Sequence, residues 1–306
     1  MNFFPTVDPA RKSASTYYDE CLQLVELAEV LGYRHVQCAE HYGSPYGGCG
    51  PDPVVFLTAA AARTARTRLT AGLAVGASAH PVETAARLAL LDHLSHGRLE
   101  AGFGCSLPAV PGDHTRVREV VDACVALWGG APPRHEGDVR RSGPVAGFPL
   151  PLQQPHPPVY VTSVAGTEDC ARAGARGHHL QLDPSMWRRE HLTRMIAAYR
   201  AAHRGAGHEG PGRVRLTYTC YVGKARDVVL SGADEHRGAQ VLIGTPDDVC
   251  AQIEAVRSWY GSDLCLSLQF NPGQVPYGRA VRAMELFAAR VAPRFADAAV
   301  PDRAAA

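Results

Sequence analysis

Short β-rich runs alternate with helical runs along almost the whole chain, and this alternation limits the possible folds more than any other feature. Eight runs predict strands, at residues 2–7, 35–39, 68–75, 98–103, 158–163, 178–182, 214–222 and 263–270. Helical patterns lie between and after them, at about 16–31, 53–65, 81–94, 114–128, 167–176, 187–204, 246–260 and 277–292. Because strand and helix alternate, the sequence predicts an α/β protein with a parallel sheet.

The number of strand–helix pairs favours one architecture within that class. Eight pairs in 306 residues match a (β/α)8 barrel, also called a TIM barrel. A doubly wound open sheet is the rival, but no G-x-G-x-x-G pattern follows the first strand, which disfavours a dinucleotide-binding version. We expect one barrel domain over residues 1–296, a frayed tail over 297–306, and a shortened insertion over 223–243, after the seventh strand.

Composition argues against several classes of function. Lys+Arg 31 nearly balance Asp+Glu 30 and form no basic run, so nucleic acid is not a predicted partner. The chain has no run of about 18 apolar residues and no signal-peptide pattern, so we expect no membrane partner and a cytoplasmic location. The nine cysteines are scattered without a CxxC pair, which predicts buried, reduced thiols and no metal site.

Glu40 and His41 are the first candidates for chemistry, because they directly follow the predicted strand 35–39. In parallel α/β folds, ligands bind at the carboxyl ends of the strands. A histidine in that position can transfer a proton near neutral pH. The alternative is a histidine that is simply hydrogen-bonded to a neighbouring loop. Glu40 is expected to orient His41 or to anchor the strand end.

The polar run from Leu91 to Arg98 ends a helix and turns straight into a strand. Such a turn lies at the amino ends of the strands, where polar residues serve stability more often than catalysis. We therefore interpret the run as architecture and expect Asp92 and Arg98 to brace helix against strand.

Four groups of residues together resemble the luciferase-like, flavin-dependent monooxygenase superfamily, also called the bacterial luciferase family. In chain order they are Glu40-His41-Tyr42-Gly43; the segment from His80-Pro81 to Gly104, with the Leu91–Arg98 run; the segment from Arg116 to Pro158; and Ile243-Gly244-Thr245-Pro246 with Val291-Ala292-Pro293-Arg294-Phe295. Their order and spacing carry the resemblance, which covers nearly the full length of the chain.

The resemblance implies an enzyme that receives reduced FMN from a separate reductase. The flavin would react with O2 to give a flavin hydroperoxide, and one oxygen atom would pass to a small organic molecule. His41 matches the histidine that faces the reactive ring of the flavin. The family also implies a homodimer.

The resemblance further implies a set of cofactor-binding residues. Ala74 and Val75 match the end of the strand that passes under the flavin ring, where some relatives have a cis peptide bond. Arg116 matches a phosphate-binding arginine, and Ser163, Gly166 and the predicted helix cap Thr167 match a second phosphate-contacting loop. After Gly104, many family members have another phosphate-binding arginine, whereas this chain has Cys105.

Two alternative functions remain open. Part of the superfamily uses a deazaflavin for hydride transfer, and both cofactors need the same barrel face. The neutral Cys105 and the short 223–243 segment instead favour a flavin-binding or scaffold protein that has lost catalysis. The presence of His41 argues against that loss.

Overall fold

The computed structural model describes residues 1–3, 10, 12–41, 50–75, 79–105, 112–130, 149–162, 165–210, 212–223, 241–270 and 275–298. In these ranges the strands are β1 (Asn2–Phe3), β2 (His35–Ala39), β3 (Arg68–Ala74), β4 (Leu99–Gly104), β5 (Val159–Val161), β6 (His179–Leu182), β7 (Val214–Val222), β8 (Val241–Gly244) and β9 (Leu264–Gln269). The helices are α1 (Ala14–Val30), α2 (Pro53–Ala61), α3 (Pro81–Leu94), α4 (Asp113–Trp128), α5 (Thr167–Ala175), α6 (Arg189–Gly205), α7 (Pro246–Tyr260) and α8 (Tyr277–Arg290). Two short 3-10 helices cover Pro184–Met186 and Ala292–Ala298.

Strands and helices alternate as the periodicity predicts, so the α/β class is confirmed. Every predicted strand and helix has a counterpart in the structure.

Local capping explains where two of the helices begin. Asp52 caps α2 by accepting hydrogen bonds from the amides of Val54 and Val55, and Thr245 and Asp248 form a reciprocal capping box at the start of α7. Proline follows each of these caps, where its missing N–H costs nothing.

The chain divides into two compact units. The first unit comprises Phe3–Glu29 and Arg34–Ala165. In it, β2, β3, β4 and β5 pair in that order, all parallel. The apolar side chains that fill its interior come from both strands and helices, including the fully buried Leu69, Phe103 and Leu88. Burial of these apolar surfaces is the main force that holds the unit together.

The second unit comprises Met1–Asn2, Val30–Tyr33 and Gly166–Ala306. Its long central strand β7 pairs in parallel with β6 on one side and with β9 along Val214–Thr219 on the other. The last residues of β7, Thr219–Val222, pair with the short β8. β8 is additional to the eight predicted strands, and it begins within the 223–243 segment. Its neighbours at 224–240 lie outside the described residues, as does the tail from 299.

The Leu91–Arg98 run has the architectural role that its pattern predicts. Arg98 is 7% exposed, and its guanidinium group donates five hydrogen bonds of 2.7–3.0 Å to oxygens of Ser95, of Ala61 at the end of α2, and of Thr64 and Thr67 in the segment that joins α2 to β3. Asp92 is fully buried and instead accepts two hydrogen bonds from Gln153, at 2.9 and 2.7 Å. The two side chains therefore brace different segments and do not pair with each other.

Glu29 also stabilises the α2–β3 connection. Its carboxylate accepts hydrogen bonds from the backbone amides of Ala65, Arg66 and Thr67, at 2.9–3.1 Å. Partial burial opposes ionisation, but these hydrogen bonds outweigh it and lower the pKa of Glu29 from 4.5 to about 2.

Among the described residues, no helix combines the length and apolar character that crossing a bilayer requires.

Candidate functional site

The carboxyl ends of β2, β3 and β4 lie side by side in the first unit. The parallel register places Ala39 opposite Gly72 and Ala74 opposite Gly104. Backbone hydrogen bonds continue past the strand ends, from the amide of Glu40 to Gly72 O at 2.7 Å and from the amide of Val75 to Gly104 O at 2.7 Å. The predicted site residues at positions 41, 74, 75, 104 and 105 are therefore brought together along one edge, which we call the strand-end edge.

Glu40 fastens two of these strand ends to each other. Its Oε2 atom accepts a hydrogen bond from the backbone amide of Ala74 at 2.9 Å. This amide lies at the end of β3, where the regular ladder with β2 has stopped. The anchoring role predicted for Glu40 is thus realised through the backbone of β3.

His41 directly follows this anchor and is itself fixed by its backbone. It forms an isolated antiparallel bridge with Gly50, in which the His41 amide donates to Gly50 O at 2.9 Å. The side chain is half-buried, and burial lowers the pKa of His41 below its ordinary value of 6.5. At pH 7 the imidazole is therefore neutral, so one ring nitrogen donates and the other accepts hydrogen bonds.

Val75 provides an apolar surface next to this imidazole-bearing strand end. Its side chain is buried, whereas Ala74 is half-buried. Within the described ranges the only cis peptide bond joins Gln154 and Pro155, so the bond between Ala74 and Val75 is trans.

Cys105 follows the last residue of β4 and is half-buried. Its Sγ atom lies 4.0 Å from Nδ1 of His114, in the first turn of α4. This neighbour could not be predicted, because nothing in the spacing of Cys105 and His114 distinguishes them from other scattered cysteines and histidines. Since cysteine stands here in place of arginine, the strand-end edge lacks a cation at this position.

Arg116 is one of the two arginines that α4 adds to the same unit. Its Nη2 donates to the carbonyl of Ala79 at 2.9 Å, and its Nη1 lies 3.6 Å from the carboxylate of Glu119. Its Nε is shielded from solvent and has no hydrogen-bond partner among the described residues. A buried donor without an acceptor is costly, and a phosphate oxygen is the kind of acceptor that would satisfy it. Arg116 therefore fits a phosphate-binding role.

The second predicted phosphate loop lies at the start of α5. Gly166 is the N-cap residue of α5, and Thr167 is the first helical residue, so the prediction that Thr167 caps the helix is wrong by one position. Gly166 has no side chain that could accept hydrogen bonds from the first amides of the helix, so no capping side chain competes with a phosphate for these amides. Ser163 lies outside the described residues.

No metal centre is evident in the described ranges, which contain no group of three or more His, Cys, Asp or Glu side chains arranged to hold an ion.

Comparison with known proteins decides the family. The family model described as luciferase-like monooxygenase matches residues 1–239. The chain belongs to this family. The resemblance carried by the sequence motifs is thereby confirmed, and so, at the level of the family, is the prediction of a flavin-dependent oxidoreductase or monooxygenase.

Solved structures of luciferase-like enzymes share the fold. The monooxygenase RslO1 from Streptomyces bottropensis is 36% identical, with a TM-score of 0.87 over 96% of this chain and 98% of that one. The oxygenating constituent of 3,6-diketocamphane monooxygenase from Pseudomonas putida, solved in complex with FMN, has a TM-score of 0.76 over 96% and 97% of the two chains. Its identity is 19%, so it shows a common fold alone.

A curated relative matches over a shorter stretch. The oxygenase component of a flavin-dependent trigonelline monooxygenase from Acinetobacter baylyi is 30% identical over 157 residues, which are 48% of this chain and 43% of the relative. The chain spans about half the length, or less, of the first curated relatives it matches. The roles of His41, Ala74, Val75, Gly104, Cys105, Arg116, Ser163, Gly166 and Thr167 stay predictions.

Proposed function

We propose that this luciferase-like protein is the oxygenase component of a two-component monooxygenase, which uses reduced FMN and O2 to oxygenate a small organic molecule. Family membership supports a flavin, the Acinetobacter relative is itself described as an oxygenase component, and the Pseudomonas relative was solved with FMN. A separate flavin reductase is then the expected partner.

The observation that carries the proposal is the combination of Arg116 with the strand-end edge. Arg116 offers a shielded Nε donor without a partner in the described part of the chain, and the strand ends place His41 and Val75 on one edge of the same unit. When bound, reduced FMN supplies the electron pair that activates dioxygen. The protein's part is to hold the cofactor, exclude water and manage a proton.

His41 is the residue that would manage the proton. Its imidazole is neutral at pH 7 because burial lowers its pKa, so the protonated ring nitrogen can donate a hydrogen bond to a developing anionic oxygen, while the other ring nitrogen can accept a proton from a neighbouring donor. Glu40 contributes indirectly, because its bond to the Ala74 amide holds the β2 end that bears His41. Val75 would provide an apolar contact for the ring system of the flavin.

Cys105 makes the proposed cofactor site weakly charged. A thiol gives no charge-assisted hydrogen bond to phosphate, and one such bond is worth about 1.5–3 kcal/mol. Arg116 would therefore provide the principal cationic contact in the first unit. Loose binding suits an enzyme that collects reduced flavin from a reductase and releases it after each turnover.

We further propose that the enzyme is a homodimer. Val55 on α2 and Leu90 and Leu94 on α3 belong to one unit and are 67%, 52% and 48% exposed. Leu90 and Leu94 are four residues apart and share one face of α3. Sedimentation should give a dimer, and charged substitutions at Leu90 and Leu94 should give a folded monomer.

Anaerobic titration tests the proposed function most simply. The protein is mixed with reduced FMN or with a reduced deazaflavin, and binding is followed by fluorescence before O2 is admitted. The proposal predicts preferential binding of reduced FMN and O2-dependent oxidation of the bound flavin. Binding of the deazaflavin alone would favour hydride transfer, and binding of neither would favour a scaffold.

A further inference from the structure

A cavity of about 430 Å³ that is open to solvent lies just beyond the carboxyl end of β6, and all the residues that line it belong to the second unit. It is lined by Met186, Trp187, Arg188, Glu190, His191 and Arg194. Its volume falls within the range that small-molecule sites occupy. Neither the family resemblance nor the predicted cofactor residues assign any role to it.

Two of the residues that line the cavity are aromatic. The rings of Trp187 and His191 stack with centroids 5.0 Å apart and an interplanar angle of 22°. The chain builds this stack locally, because Asp183 caps the 3-10 helix Pro184–Met186, Trp187 follows it in an extended conformation, and His191 lies in the first turn of α6. Nε2 of His191 is shielded from solvent and has no hydrogen-bond partner among the described residues. An acceptor on a bound ligand would relieve that state.

The charge of the cavity is positive. Glu190 is already engaged, because its carboxylate lies 3.3 Å from the Arg189 guanidinium and also feels the charge of Arg188. The guanidinium group of Arg194 makes no hydrogen bond or ion pair within the described part of the chain. The cavity is therefore lined by two guanidinium groups, those of Arg188 and Arg194, and by one carboxylate, that of Glu190, which already has a cationic partner. The amino end of α6 adds its positive partial charge, and Arg188 at the N-cap provides no side-chain cap.

We propose that this cavity binds a planar aromatic carboxylate. The ring of the ligand would lie against Trp187 and His191, and its carboxylate would take charge-assisted hydrogen bonds from Arg194 and Arg188, whose planar guanidinium groups match carboxylate geometry. A neutral aromatic ligand would use only the stack, and an aliphatic acid only the cations. The proposal rests on residues of the second unit alone and does not depend on flavin binding.

The test uses the full chain without flavin and two probes of nearly equal shape, benzoate and its neutral isostere benzamide. Calorimetric titration should give at least about tenfold tighter binding for benzoate, since one well-placed guanidinium contact is worth about a factor of ten. Excitation of tryptophan should show quenching that Trp187→Leu abolishes, together with weaker binding of both probes. Raising the salt concentration should weaken benzoate binding and leave benzamide binding unchanged.

Arginine substitutions separate a specific contact from general charge. Arg194→Gln is expected to weaken benzoate binding about tenfold and to leave benzamide binding unaltered. Arg204→Gln removes the same charge from the exposed last turn of the same helix and should leave both affinities unchanged. Equal affinity for the two probes, equal effects of the two arginine variants, or no binding of benzoate at millimolar concentration would each overturn the proposal. Circular dichroism and the melting temperature confirm that each variant is folded.

Discussion

The Oε2 atom of Glu40 accepts a hydrogen bond from the backbone amide of Ala74 at 2.9 Å. The bond joins the ends of β2 and β3 one residue beyond the point where their backbone ladder stops. His41 and Val75 are the next residues along these two segments, so the Glu40 side chain helps to hold together the strand ends that bear an imidazole and an apolar side chain. The carboxylate therefore has a positioning role in the proposed site.

Removing the Glu40 acceptor should loosen the proposed cofactor site. Glu40→Leu is expected to weaken binding of reduced FMN about tenfold, because a hydrogen bond to a charged acceptor is worth about 1.5 kcal/mol at such a half-exposed position. Glu40→Gln keeps an oxygen that can accept from Ala74 and should lose less than about threefold. Anaerobic fluorescence titration measures both. Wild-type affinity in the Leu variant would show that the bond does not support binding.

His41 should titrate below its ordinary range. Burial disfavours the imidazolium, so the pKa of His41 in the folded protein lies below 6.5. The sign follows directly: the neutral folded form is fully favoured above pH 6.5, and stability falls as the pH drops below that value toward the lowered pKa. An NMR titration of the histidine ring protons should contain a low signal from His41 and another from His203, whose pKa burial also lowers. His41→Gln should remove one of the two, and a variant that keeps both low signals would contradict the lowered pKa of His41.

Arg98 should contribute more stability than an ordinary surface arginine. Arg98→Ala leaves the carbonyls of Ala61, Thr64 and Thr67 without their buried donor and is expected to cost about 3 kcal/mol of unfolding free energy. The matched control is Arg63→Ala, which breaks an exposed pair with Glu26 and should cost less than about 0.5 kcal/mol. Urea unfolding compares the two. Similar losses for both variants would refute the bracing role.

Glu29 should make the first unit sensitive to acid. The folded pKa of about 2 lies below the ordinary 4.5, so the stabilisation is complete above pH 4.5 and disappears as the pH falls toward 2. After allowance for solvent screening at this partly exposed group, the loss should be about 1–2 kcal/mol. Glu29→Gln should be less stable at pH 7 and show a flatter pH profile in urea unfolding. Glu26→Gln, on the exposed face of the same helix, should keep the wild-type profile.

The elements of the fold could be predicted because apolar periodicity records which side chains are buried. Runs such as Leu69–Leu73 are buried on a strand, and Pro53 and Pro246 mark helix starts through a rule that needs no tertiary contact. The residues of β8 have a strand-like pattern, but four residues cannot indicate the pairing partner, which lies some twenty residues earlier on β7. The N-cap of α5 is Gly166 and not the predicted Thr167, because glycine is accepted at an N-cap position almost as readily as a hydroxyl residue.

The contacts of the candidate site were less predictable, because they depend on which distant backbone groups need a partner. Asp92 accepts hydrogen bonds from Gln153, which lies about sixty residues further along the chain. Arg98 donates hydrogen bonds to backbone carbonyls at the end of α2 and in the α2–β3 connection. The position of Glu40 could be predicted from the strand end, whereas its bond to the Ala74 amide could not. The proximity of Cys105 and His114 follows from how α4 packs against β4, which no local motif encodes.

The most direct test of the central claim compares reduced FMN with reduced riboflavin, which lacks only the phosphate. Both affinities are measured anaerobically for the wild-type protein, for Arg116→Gln, and for Arg118→Gln, which changes the other arginine of α4. We predict that wild type and Arg118→Gln prefer FMN by about tenfold or more, and that Arg116→Gln reduces this preference to less than about threefold with riboflavin affinity unchanged. Full FMN preference in Arg116→Gln would contradict the proposed phosphate site.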